Sequence, residues 1–244
     1  ASDCLFAAAL ATARGITNAS SRAWALSDIA TAQAKAGDVA GALTTARGIT
    51  MASSRAEALR EIAAAQAQAG DRQSAARSFA EALASAREIT NESARAGALP
   101  AIAVAQAQAG DFAEALATAR GITGEFLRAW ALSAIAVAQA HAGDLTGALA
   151  TARGIATAGF RGSALGGIAA AQAKAGDLGG ALATGREITD VASRGDLFRS
   201  VAASQTKAGD FAGALATAQG MTNAYSRGTV LADIAASQAK AGDL

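Results

Sequence analysis

Apolar and small positions return at steps of three and four along most of this chain. Between Ala23 and Ala36 the recurring set is Leu26, Ile29, Ala30 and Gln33, a helical rather than a strand period. Gly37 ends this predicted helix, because glycine tolerates the positive φ of a C-terminal cap. Asp38 caps a second predicted helix: its carboxylate accepts from free N–H groups and suits the positive end of the dipole. That second helix carries Ala42, Leu43, Ala46 and Ile49 on its inner side. It runs out in a polar T-N-x-x-S phrase, at Thr17 to Ser21 and again around Asn223, that serves as stop, loop and N-cap.

The whole phrase repeats. Its fullest form is arginine, a variable pair and A-L-x-x-I-A-x-A-Q-A-x-A-G-D, followed by x-x-x-A-L-x-T-A-R-x-I-T. The Gly-Asp pair falls at Gly37-Asp38, Gly70-Asp71, Gly110-Asp111, Gly143-Asp144, Gly176-Asp177, Gly209-Asp210 and Gly242-Asp243. Successive pairs are 33, 40, 33, 33, 33 and 33 residues apart. A self-similar period in this range marks a solenoid. No flexible linker interrupts it, so residues 1–244 read as a single continuous all-α repeat domain of stacked antiparallel helix pairs, incomplete at both ends. In the 40-residue interval the second helix, between Asp71 and Ile89, gains seven residues, about 10 Å of helix. Nearly two full turns return Ala82, Leu83 and Ala86 to the inner face. One longer helix is expected there, as a ledge or partner contact or as tolerated length variation.

Composition agrees with close helix packing. Hydrophobic residues make up 52% of the chain but aromatics only 4%, and alanine, a strong helix former with little surface to bury, dominates. The net charge of +1, from 21 basic and 20 acidic residues, gives no general field for nucleic acid or an anionic membrane. The lone Cys4 excludes an internal disulfide and a cysteine zinc site, and reads as an inert or terminal thiol. No run of eighteen apolar residues spans a bilayer, and localisation stays open. The array starts with an isolated second helix near Leu5 to Ile16 and stops at Leu244 after a Gly-Asp turn. Such ends need caps, which implies a fragment, a processed chain or an array capped by another subunit. Pro100 is expected near the first turn of its unit, where the missing N–H is cheap, with a modest local bend.

At Leu26, Ile29, Ala30, Gln33, the Gly37-Asp38 turn, Ala42, Ala46 and Ile49 the unit resembles the tetratricopeptide repeat, a pair of antiparallel helices usually 34 residues long. The likeness extends over nearly the whole chain. It implies a right-handed α-solenoid, a tetratricopeptide-like superhelix used as a protein-interaction scaffold. The chain departs from the pattern by Gln33 where an aromatic is common, by exchanged sizes at Ala46 and Ile49, by a missing proline and by a unit one residue shorter. These differences alter interhelical spacing and weaken transfer of any familiar pocket.

Stacking turns repeated positions into ladders. Gln33, Gln66, Gln106, Gln139, Gln172, Gln205 and Gln238 form one, suited to lateral bonds between units, to exposed backbone groups or to a ligand. Arg22, Arg55, Arg95, Arg128, Arg161, Arg194 and Arg227 start first helices, against their dipole. Arg14, Arg47, Arg87, Arg120, Arg153 and Arg186 end second helices, with Gln219 interrupting the series. Both arginine ladders approach one edge and the turn aspartates the other. The arginines either bond loop carbonyls and Glu88, Glu92, Glu187 or Asp190, or form an interaction edge for acidic protein segments, with Arg128 and Arg161 as candidate contacts. The inner first-helix face carries Trp24, Ser27, Thr31 and Lys35, then Trp130, Val137, His141, Lys174 and Lys207. Trp24 and Trp130 either anchor a bound peptide or helix, or fill gaps between helices.

Catalytic chemistry finds little footing. His141 has no companion histidine or cysteine cluster, no phosphate loop appears, and the acidic residues are scattered. No cofactor is expected. The residues point to a non-enzymatic scaffold or adaptor for a protein or peptide. An architectural subunit of a larger assembly is the alternative.

Overall fold

The six Gly-Asp turns from Gly37 to Gly209 are tight reversals, each serving two helices. Gly37, at φ 89°, takes the left-handed conformation that closes the first helix. Its N–H donates to the Ala34 carbonyl at 3.0 Å, and the Asp38 N–H to the Gln33 carbonyl at 2.9 Å, a Schellman arrangement. The Asp38 carboxylate then caps the next helix by accepting from the Gly41 N–H at 2.9 Å. One residue therefore closes one helix and opens the next.

The computed structural model describes residues 2–242, with side chains from Leu5 onward, so the Cys4 side chain, Asp243 and Leu244 lie outside the described residues. Among them are fourteen helices and no strand. First helices are α2 (Ala19–Lys35), α4 (Ala52–Gln68), α6 (Glu92–Gln108), α8 (Glu125–His141), α10 (Ala158–Lys174), α12 (Val191–Lys207) and α14 (Ala224–Ala241). Second helices are α1 (Ser2–Arg14), α3 (Val39–Arg47), α5 (Arg72–Arg87), α7 (Phe112–Arg120), α9 (Leu145–Arg153), α11 (Leu178–Arg186) and α13 (Phe211–Gln219). The chain forms two compact units, Ala1–Ala131 and Leu132–Leu244. In the first, α2 packs on α1, α3 and α4, and α4 on α5 and α6. In the second, α10 packs on α9, α11 and α12, and α12 on α13 and α14. Each unit is thus an α-solenoid of consecutive helix pairs.

The interior is lined by Ala30, Ala42, Ala46, Ala63, Ala82 and Ala86, all fully buried, with isoleucine and leucine filling the wider gaps. The repeated isoleucine does so from an unexpected place. Ile49, Ile122, Ile155 and Ile188 lie beyond the ends of α3, α7, α9 and α11, not inside those helices, and are still buried. The second helix is only nine residues long, so the loop after it supplies the apolar plug. Helix α5 has 16 residues against nine in α3 and α7, and its inward stripe Ala75, Phe79, Ala82 and Ala86 stays buried, as the heptad-sized insertion predicts. Pro100 is a correction: it stands in the interior of α6, not in its first turn. The missing N–H therefore withdraws a bond from the Ala96 carbonyl, although the helix continues.

The glutamine ladder works within hairpins rather than laterally between units, with Gln66 as the exception. Gln33 Oε1 accepts from the Thr45 hydroxyl at 2.8 Å, and its Nε2 donates to the Asp38 carboxylate at 2.9 Å. The same pair of bonds forms at Gln139, Gln172 and Gln205. All four turns have glycine three residues after the aspartate: Gly41, Gly147, Gly180 and Gly213. A Cβ at Gly41 runs into the Asp38 carboxylate and lies 2.6 Å from Gln33 Nε2. Ser74 and Glu114 occupy the equivalent positions after Asp71 and Asp111, and there the Gln–Asp bond is missing among the described residues. Gln66 loses its hydroxyl partner as well. Ser78 stands where the other hairpins have threonine, and Gln66 Oε1 is buried without a hydrogen bond.

Gly41→Ala is expected to lower the unfolding free energy by roughly 1 kcal/mol, through loss of the Gln33–Asp38 bond. Gly195→Ala, in a helix where an added Cβ meets nothing within 4 Å, is expected to raise it by up to about 1 kcal/mol through helix propensity. Chemical unfolding of both variants checks the contrast. Stabilisation by both removes the steric argument.

Candidate functional site

The loop that follows each second helix exposes backbone carbonyls, and the first-helix arginines bind them. Arg22 Nη1 donates to the Ile16 carbonyl at 2.8 Å, Arg55 to Ile49 at 2.9 Å, Arg128 to Ile122 at 3.0 Å and Arg161 to Ile155 at 2.9 Å. Arg194 and Arg227 repeat the bond to Ile188 and Met221, both at 3.1 Å. Each arginine thereby latches the loop that holds the buried plug. Arg128 and Arg161, placed on an interaction edge by the sequence pattern, are half-buried and engaged in these latches. Arg95 is the exception: it is exposed and makes no such bond among the described residues.

Two second-helix arginines pair with glutamate. Arg47 binds Glu81 through two bonds, at 2.9 and 2.7 Å, and Arg153 binds Glu187 at 2.9 and 2.6 Å. Arg55 also binds Glu88 and the Ser85 hydroxyl. Glu187 occupies the helix-end position that is glycine at Gly48, Gly121, Gly154 and Gly220, so this pairing is not general. The hydrogen bonds from Arg47 and Arg153 hold the Glu81 and Glu187 carboxyls below the usual glutamate range, against a smaller opposing effect of burial.

Lys35, His141, Lys174 and Lys207 are the last residues of α2, α8, α10 and α12, and all four are exposed beside the Gly-Asp turns. The lysines suit the negative helix ends there. They bring positive charge to the edge where the sequence pattern placed only the aspartates. Lys207 also borders an open cleft of about 350 Å³, shared with Arg199 and Asp233 of α12 and α14. Among the described residues, no group of three or more His, Cys, Asp or Glu converges to hold a metal ion.

The tryptophans mark a different surface. Trp24 is 70% exposed and Trp130 43%, so Trp24 does not fill a gap in the interior. Trp24 stands on α2 at the mouth of an open groove of about 290 Å³, lined also by Ser27, Asp28, Ser53, Ser54 and Glu57. The groove runs between two neighbouring first helices of the first unit. Sequence reasoning found Trp24 and Ser27 but not the acidic wall. The available signal was register: Trp24 and Glu57 each follow the first-helix arginine by two residues, at Arg22 and Arg55. A wider groove in the same unit, lined by Leu83, Arg87, Arg95, Leu99, Glu114 and Ile122 among others, was also missed.

No family model matches this chain. No curated protein is similar to it at a significant level. Among solved structures it is similar to Ton1535 from Thermococcus onnurineus NA1, at 15% identity over 92% of this chain and 94% of that one, with a TM-score of 0.37. A likeness of that strength carries no functional argument.

Two expectations follow from the arginine contacts. Arg161→Ala is expected to lower stability by about 1–2 kcal/mol, because it removes a charge-assisted bond and leaves the Ile155 carbonyl without it. An unchanged unfolding midpoint removes the latch role. Glu81→Gln is expected to lower stability by about 0.5 kcal/mol at neutral pH, since the pair is exposed. The folded Glu81 pKa is depressed, so its contribution is present above the unfolded value of about 4.3 and is lost as pH falls through the folded value. Unfolding curves of the two proteins should therefore converge in acid, and parallel curves down to the acid limit contradict the assignment.

Proposed function

We propose that this chain is a non-enzymatic protein-interaction scaffold of tetratricopeptide-like type, which holds a peptide, helix or protein surface along the exposed face of its first helices. The observation that carries the reading is Trp24, a large aromatic left 70% exposed at a groove between two tandem helices. Exposed tryptophans set in a depression are the side chains that dominate binding energy at protein interfaces. The polar residues nearest to chemistry support the same reading, because most already serve the fold. The aspartates cap helices, the glutamines and threonines bind across turns, and the first-helix arginines latch loops.

A photo-crosslinking residue in place of Ser53 at the groove rim, with Thr44 on the exposed side of α3 as control, tests this in a native extract. Adducts are expected at position 53 and not at position 44. Trp24→Ala is expected to weaken partner retention at least about tenfold, the equivalent of about 1.4 kcal/mol. Equal retention by the folded variant, with adducts concentrated away from the first helices, overturns the reading.

A further inference from the structure

The groove beside Trp24 offers acceptors to whatever enters it. Asp28 lies one helical turn beyond Trp24 on the same face of α2, and is exposed with no ion pair among the described residues. Glu57 lines the groove from α4. It is only partly neutralised: Arg60 divides one guanidinium between Glu57, at 2.5 Å, and Glu61, at 2.7 Å. The lining of the groove therefore carries two carboxylates, Asp28 and Glu57, and no basic side chain.

A second, independent feature points into the same space. Ser27 lines the groove, its side chain is more than nine-tenths buried at 7% exposure, and its hydroxyl has no hydrogen-bond partner among the described residues. The hydroxyl of a nearly buried serine, carboxylates on both walls and the electron-rich face of Trp24 make one consistent set. A lysine ammonium or arginine guanidinium carries only donors and binds the face of an aromatic ring. An acidic side chain entering the groove meets like charge from Asp28 and Glu57.

We infer that the Trp24 groove receives the cationic side chain of a basic segment in a partner protein. The inference rests on the scaffold reading and adds the chemistry of its ligand. The long apolar stem of lysine or arginine packs on Trp24, while its charged head reaches Asp28, Glu57 and the Ser27 hydroxyl.

Fluorescence anisotropy of the full chain with short labelled Ser/Ala peptides, carrying lysines, arginines, glutamates or no charge, tests it. Lysine and arginine peptides are expected to bind, with affinity falling between about 50 mM and about 300 mM salt. Trp24→Ala and Asp28→Asn are each expected to weaken that binding about fivefold, and Asp28→Lys more strongly. Both positions are exposed, and circular dichroism confirms that the variants keep their helix content. Basic peptides that bind no better than neutral ones, or bind equally to the folded variants, overturn the inference. Neutral or acidic segments crosslinked at position 53 also overturn it, yet leave the scaffold reading standing. No adduct of any class on the first-helix face removes both.

Discussion

A buried glutamine tied across four of the tight turns is the polar contact that fixes the register of those helix pairs. Gln33 reaches the Thr45 hydroxyl on the facing helix and the Asp38 carboxylate in the turn, while its own carbonyl accepts the Asp38 N–H. An alanine-lined interface supplies many small contacts but few shapes that distinguish one register from the next. A polar group that is satisfied in one arrangement, and stranded in others, supplies that distinction. The bond also dictates its neighbour, because it passes over Gly41 where a Cβ has no room. The hairpin of α4 and α5 shows the converse. With Ser74 in place of the glycine and Ser78 in place of the threonine, Gln66 Oε1 is left buried and unbonded.

The opposite ends of the helices are held by a different device. A nine-residue second helix stops short, and the loop beyond it must bury an isoleucine while its backbone carbonyls find partners. Arginine answers the second need from the start of the following helix, at an energetic cost against that helix's dipole which a charge-assisted bond offsets. A residue that looks misplaced on electrostatic grounds is thus explained by the carbonyl six residues before it. Since both ends of most pairs are occupied by such contacts, the exposed face of the first helices is left to vary. There Trp24, Asp28 and Glu57 break the repeat.

The repeat period, the helix pairs, the glycine turn, the aspartate cap and the long α5 were all legible in the sequence. Each depends on local backbone geometry or on helical periodicity, which a chain declares residue by residue. The partners of Gln33 and Arg161 were not legible. Periodicity shows that a side chain recurs, but the choice between a lateral bond, a loop carbonyl and an external ligand depends on distances across the hairpin. Pro100 and Ile49 were misplaced for a related reason: the helix boundary sets which turn a residue occupies, and both boundaries lay several residues from where the pattern alone put them.

The candidate groove divides along the same line. Sequence by itself determined that this is an alanine-rich α-helical repeat and that Trp24 lies on a first helix, because spacing and composition are properties of one strand of chain. Only the tertiary structure decided that Trp24 stays exposed, that Ser27 is buried beside it, and that Glu57, 33 residues away, closes the other wall. The physical reason is that a groove belongs to two helices at once, and its charge and depth arise only when their faces are brought together.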